Sequence, residues 1–157
     1  MAVQVAVCGP SRCSAPQWRQ AEETGRLLAA RSAVVLCGGY GGVMAAVAAG
    51  ARSAGGIVVG VLSAADRAGA GPDLTVALPT GMGQGRNTVL VNAADAVIVV
   101  GGSWGTLSEL ALAMRRGRVP VVQLGGWHVQ DEDGRPPGGV LHASDPQEAV
   151  AMTGLWS

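Results

Sequence analysis

Apolar residues in this chain fall into short unbroken runs, separated by longer stretches in which they recur every three or four positions. The runs at 3–8, 33–37, 57–62, 74–78, 96–100 and 119–124 each end at a Gly, Pro or Ser, as expected of strands covered on both faces. The stretches between them predict helices over 16–31, 42–54, 85–94 and from Gly105 to the arginines near 115–118, with a short closing helix over 146–152. On the first helix Trp18, Ala21, Gly25 and Leu28 share a face, and on the second Val43, Met44, Val47 and Ala51 do so. After Gly105 the inward stripe is Leu107, Leu110, Ala111 and Met114. Residues 63–72 and 131–139 read as loops. This alternation predicts a single α/β domain over 1–157, a doubly wound and mostly parallel sheet of six to seven strands with helices on both faces.

Composition sharpens this picture. A chain of 157 residues that is 48 % apolar supports one core, and its bulk is Ala, Val and Leu with no Phe and one Tyr, suited to close helix-on-sheet packing. Formal charge is zero, so neither nucleic acid nor an anionic membrane is expected as a partner. Every cation is an arginine. The absence of lysine excludes a Schiff-base enzyme, lysine decarboxylation through pyridoxal phosphate included, and a Walker phosphate loop. No basic leader and no apolar stretch of about 18 residues is evident, so the expected location is the cytoplasm. Cys8, Cys13 and Cys37 are odd in number and are read as reduced thiols. With only His128 and His142 to add, no metal site is expected. The acidic start of 131–139 is only superficially like a calcium loop.

The chemistry concentrates where strands end. At 97–109, VIVVGGSWGTLSE, an apolar strand runs into glycines and then into a helix, the arrangement that presents an anion to a helix N-terminus. The design occurs earlier as well: Gly38, Gly39 and Gly42 match Gly101, Gly102 and Gly105, but only the second copy carries a carboxylate, Glu109. In parallel sheets such loops meet at the carboxyl edge beside the point where strand order reverses. Arg86, in the first turn of a helix, opposes the helix dipole unless an anion is present. Chain geometry returns Arg86 and Glu109 to the same sheet edge. An interaction module without a ligand would leave Arg86 unexplained. Thr106 to Glu109 also reads as a capping box, in which the carboxylate only satisfies a backbone donor. Ser11 is either a ligand contact or a turn residue, Trp104 either stacks on a base or packs on the sheet, and Tyr40 is equally open. Arg115, Arg116 and Arg118 complement the helix dipole, and Arg19 with Glu23 and Glu22 with Arg26 form a solvated face.

At GGSWGTLSE, taken with GMGQGRN and CGGYGGVM, the chain resembles the LONELY GUY (LOG) family of nucleoside 5′-monophosphate phosphoribohydrolases, often labelled lysine decarboxylases. The family signature is Pro-Gly-Gly-x-Gly-Thr-x-x-Glu after an Arg-bearing helix. Gly102, Gly105, Thr106 and Glu109 match it, and Arg86 stands where the upstream arginine is expected. The likeness spans about 3–126. It implies a Rossmann-like nucleotide-binding domain, a 5′-phosphate held by Gly105, Thr106 and neighbouring amides, and N-glycosidic cleavage carried by Arg86 and Glu109. The wider ligand-contacting set it implies is Gly9, Ser11, Gly38, Gly39, Gly42, Met82, Gly102, Ser103 and Trp104, with no cofactor. In this reading a helix N-terminus keeps the carboxylate ionised. Gly101 replaces the signature proline, Ser103 the second glycine, and Asn87 a lysine. In these departures the chain is similar to a bacterial branch related to molybdenum cofactor carrier proteins, which bind a phosphorylated pterin without turnover. The ligand expected is therefore a nucleoside monophosphate or a pterin phosphate, and the resemblance implies a homodimer or higher homo-oligomer.

Overall fold

A computed structural model describes residues 1–157. In chain order it contains β1 (Gln4–Cys8), α1 (Ala15–Ala30), β2 (Val34–Cys37), α2 (Val43–Ser53), β3 (Ile57–Leu62), β4 (Val76–Pro79), a 3-10 turn (Gly83–Gly85), α3 (Arg86–Asn92), β5 (Ala96–Val100), α4 (Trp104–Arg116), β6 (Val121–Leu124), β7 (Val140–Ala143) and α5 (Pro146–Met152). The strands form one sheet in the order β4-β3-β2-β1-β5-β6-β7, every pairing parallel. This is the expected α/β Rossmann-like architecture. Strand order reverses between β1 and β5, so the loops after these strands diverge and leave a crevice at their carboxyl ends.

Alternation along the strands divides the core in two. Val5, Val7, Val35, Cys37, Ile98, Val122 and Leu124 face α1, α2 and α5, while Ala6, Cys8, Leu36, Val97, Val99 and Val121 face α3 and α4. All five residues of β5 are buried, which explains its lack of polar alternation in the sequence. Against α1, Gly25 and Gly50 let α2 approach so closely that an added Cβ at either would meet backbone of the other helix. Ala and Gly thereby take the place of aromatic bulk, which is absent from the buried core.

The structure departs from the sequence reading at several element ends. A seventh strand, Val140–Ala143, pairs with β6; it follows the turn-rich 131–139 excursion and is too short and too half-exposed to announce itself. The β6 to β7 crossover contains no helix, so a loop roofs the α4 side of this sheet edge and leaves an apolar slot of about 460 Å³ lined by Leu110, Met114, Val129 and Val140. β4 begins at Val76 rather than 74. On the α1 surface Arg26 pairs with Glu23, three residues away, at 2.6 Å, not with Glu22. Arg116 does more than face the dipole of its own helix: it donates to the carbonyls of Val91 and Ala94 at 2.6 and 2.7 Å, closing the end of α3.

Candidate functional site

The helix after β5 starts two residues earlier than its glycines suggest. Ser103 is the N-cap, extended at φ −164°, and its hydroxyl accepts from the Thr106 amide at 3.2 Å. The Leu107 amide donates to the Ser103 carbonyl. The capping box over Thr106–Glu109 therefore does not form: Ser103 supplies the cap, and Glu109 lies one and a half turns into α4, facing inward. Upstream of this turn Gly101 has φ +71°, where proline, fixed near −65°, cannot sit. The replacement of the signature proline thus has a backbone cause.

A cavity of about 260 Å³ opens at the start of α4. Of the expected residues it gathers Gly9, Ser11, Arg86, Ser103, Gly105, Thr106 and Glu109, to which the structure adds Pro10, Met44, Gln84 and Asn87. In the first turn of α4 the Trp104 and Gly105 amides have no protein acceptor, and of these orphan helix-start donors Gly105 lines the concavity. A Cβ placed on Gly105 would meet nothing closer than Ser103 Oγ at 3.9 Å. This helical glycine is open space, not packing.

Arg86 is half-buried and held firmly. Its Nη1 donates to the carbonyls of Gly38 and Val61 at 2.7 and 2.6 Å, and its Nε donates to Asn87 Oδ1 at 2.7 Å. The carbonyls at the ends of β2 and β3 thus satisfy this cation without an anion, and Nη2 is left for the cavity. Asn87 is buried, and its role as orienter of Arg86 was not read from the sequence, although adjacency to Arg86 was the available signal. The guanidinium also lies 5.7 Å from the ring centre of Tyr40. The Tyr40 hydroxyl in turn is tied to Ser63 and to the Ala64 amide.

Glu109 is 7 % exposed, and its Oε2 is sealed without a hydrogen-bond partner. No ion pair joins it to Arg86; the single salt bridge of the chain is on α1. Burial pushes its pKa from the usual 4.5 up to about 7, against the smaller opposing influences of Arg86 and the Cys8 thiol. This overturns the expectation that a helix N-terminus holds the carboxylate ionised, because Glu109 sits too far along α4 and too deep. Below it, burial together with Glu109 drives the Cys8 thiol upward as well.

The remaining expected residues lie outside this cavity. Gly38 acts on it indirectly, since a Cβ there would reach Arg86 Nη1 at 2.9 Å. Gly39 packs on Leu62 and Gly60, and Gly42, at φ +59°, packs on the Pro10 and Ser11 carbonyls. Gly102 packs on Trp127. Met82 is exposed. Trp104 is 78 % exposed, edge-on to Trp127 at 4.9 Å, so it neither packs on the sheet nor enters the cavity. It lines a wider hollow of about 590 Å³ that shares Gln84, Asn87 and Gly105 with the first.

This geometry can be set beside known proteins. The model of the SLOG cluster4 family matches residues 2–150. The chain belongs to the SLOG cluster4 family. An uncharacterised protein of Archaeoglobus fulgidus is 41 % identical over 117 residues, 74 % of this chain and 76 % of the relative. Among solved structures, the molybdenum cofactor binding protein of Rippkaea orientalis superposes with a TM-score of 0.88 at 29 % identity, covering 97 % of this chain and 95 % of the other. The molybdenum cofactor carrier protein of Chlamydomonas reinhardtii superposes with a TM-score of 0.81 at 28 % identity, over 96 % and 95 %. SLOG membership and these neighbours agree with the branch that the departures at Gly101, Ser103 and Asn87 indicated. No helix is long and apolar enough to cross a membrane.

Proposed function

We propose that this SLOG protein binds and carries a phosphorylated pterin of the molybdenum cofactor type, its phosphate seated at the start of α4. The observation that carries the reading is the cavity itself: the unpartnered Gly105 amide, the free Nη2 of Arg86 and the open face of Gly105 converge on one small concavity. Such a set of fixed donors suits a phosphoryl group. Likeness to a cofactor binding protein and a cofactor carrier over nearly the whole chain supports the pterin as the attached group. Mass spectrometry of the natively purified protein tests it. The expected result is a co-purifying pterin phosphate; a nucleotide in its place would redirect the assignment.

The second reading is hydrolysis of a nucleoside monophosphate to base and ribose 5-phosphate, and one observation favours it. A carboxyl with a pKa of about 7 is suited to protonating a departing base. Incubation with AMP decides the point: adenine released by the parent and abolished by Glu109→Gln supports turnover, whereas no adenine from either leaves binding alone.

A further inference from the structure

The two halves of the cavity make opposite demands. Around the start of α4 there are donors without acceptors, the Gly105 amide and Arg86 Nη2. At the floor there is a buried carboxyl, Glu109, 7 % exposed and with Oε2 unpartnered. Arg86 does not satisfy it: no ion pair joins the two, and the guanidinium's Nε and Nη1 are committed to Gly38, Val61 and Asn87. An anion attracted by the donors would arrive beside an ionised Glu109 in a space of about 260 Å³, where like charges are strongly disfavoured. Arg86 and Glu109 are the two charged residues of the lining. Their charges cancel when Glu109 is ionised, and the site is a net cation carrying one more O–H donor when it is protonated.

We infer that an oxyanion enters this cavity together with a proton taken from solvent onto the Glu109 carboxyl, so that Glu109 serves as a neutral part of the bound site. Ionised protein, one proton and the anion give the neutral-acid complex, and no bond to the ligand is made or broken. The inference rests on the seating of the phosphoryl group at α4 proposed above. The titratable and charged groups facing Glu109 from other elements are Cys8 of β1, Arg86 of α3 and, from the opposite face of the sheet, Cys37 of β2. Burial pushes both thiols up, Cys37 to about 11, so they keep their protons. A guanidinium keeps its charge. The carboxyl, with its pKa near 7, is the group left to exchange a proton at neutral pH.

Sulfate is the appropriate probe, because it holds no proton near neutrality, whereas a phosphate monoester titrates near pH 6 by itself. Sulfate titrations at constant ionic strength, followed through the Gly105 and Thr106 amide resonances, are expected to show affinity falling towards tenfold per pH unit above about pH 7. In Glu109→Gln the same affinity is expected to be flat with pH. Should that variant fail to fold, carbon-13 titration of the Glu109 carboxyl in the parent, with and without sulfate, reads the same linkage as an upward displacement. Sulfate binding of constant affinity in the parent, or a Glu109 titration unmoved by sulfate, overturns the inference and leaves the anion seat standing. No sulfate response at Gly105 and Thr106 at any pH removes the seat, and the inference with it.

Discussion

The loops after β2 and β5 share a sequence design and part company in what they do with it. In the first, Gly42 is the N-cap of α2, offers no side-chain cap, and adopts φ +59° and ψ −131°. A Cβ there would run into the Pro10 and Ser11 carbonyls, and the first amide of α2 donates to Pro10 at 3.0 Å. That helix start is occupied by protein. In the second, Ser103 stands where the first has Tyr40, its hydroxyl caps the helix two residues earlier, and Gly105 is carried into the first turn with open space beside it. Tyr40 instead spends its hydroxyl on the loop after β3. A strand–glycine–helix pattern therefore does not by itself make an anion site. One polar side chain at the cap position decides whether the glycines serve packing or leave a vacancy.

The largest expected break in this comparison is Gly42→Ala. At its φ and ψ an L-residue is strained whatever the space, and here the space is filled by backbone that cannot yield. We expect a loss of roughly 3 kcal/mol or more in urea unfolding. A loss within about 0.5 kcal/mol would mean that the 10–11 segment does not hold the start of α2 as described.

Next in size is the position that differs in charge, Glu109 against its counterpart Ala46, which is fully buried in the first copy. Glu109 has a folded-state pKa of about 7 against an ordinary 4.5, so the native state binds its proton more tightly than the unfolded chain. Its favourable contribution is complete below about pH 4.5 and is lost as pH rises through 7. The loss is on the order of 3 kcal/mol at full ionisation. Denaturant unfolding at pH 5 and pH 8 should show this decline in the parent and its absence in Glu109→Gln. A parent with equal stability at both values would place the carboxyl in a wetter setting than its burial implies.

Much of this was legible in the chain, for identifiable reasons. Dense apolar runs in β1, β2, β3, β5 and β6 announced strands buried on both faces, and the match of the two glycine loops pointed to the right sheet edge. What escaped was set by tertiary partners. Nothing local says that Arg86 would reach the carbonyls of Gly38 and Val61, 48 and 25 residues away in sequence, nor that Asn87 would turn back to orient it. Glu109 fits a capping box in sequence, and only the Ser103 cap removes that role and leaves the side chain sealed against Cys8. β7 depended on an edge already formed by β6.

The smallest expected effect on stability is also the sharpest test of the comparison. Gly105 is the sequence counterpart of Gly42, yet in α4 it lies in the first turn, with ordinary helical backbone and no neighbour for a methyl group nearer than 3.9 Å. Helix propensity favours alanine there, so Gly105→Ala should leave the fold intact and raise stability by about 0.5 kcal/mol, the reverse in sign of the Gly42 substitution. The new methyl would project where the Gly105 amide meets the cavity. Sulfate affinity at the α4 start should fall by about tenfold, equivalent to about 1.4 kcal/mol. A variant that gains stability and binds sulfate as the parent does would separate the open glycine from the anion seat, and the difference between the two loops would then be one of packing alone.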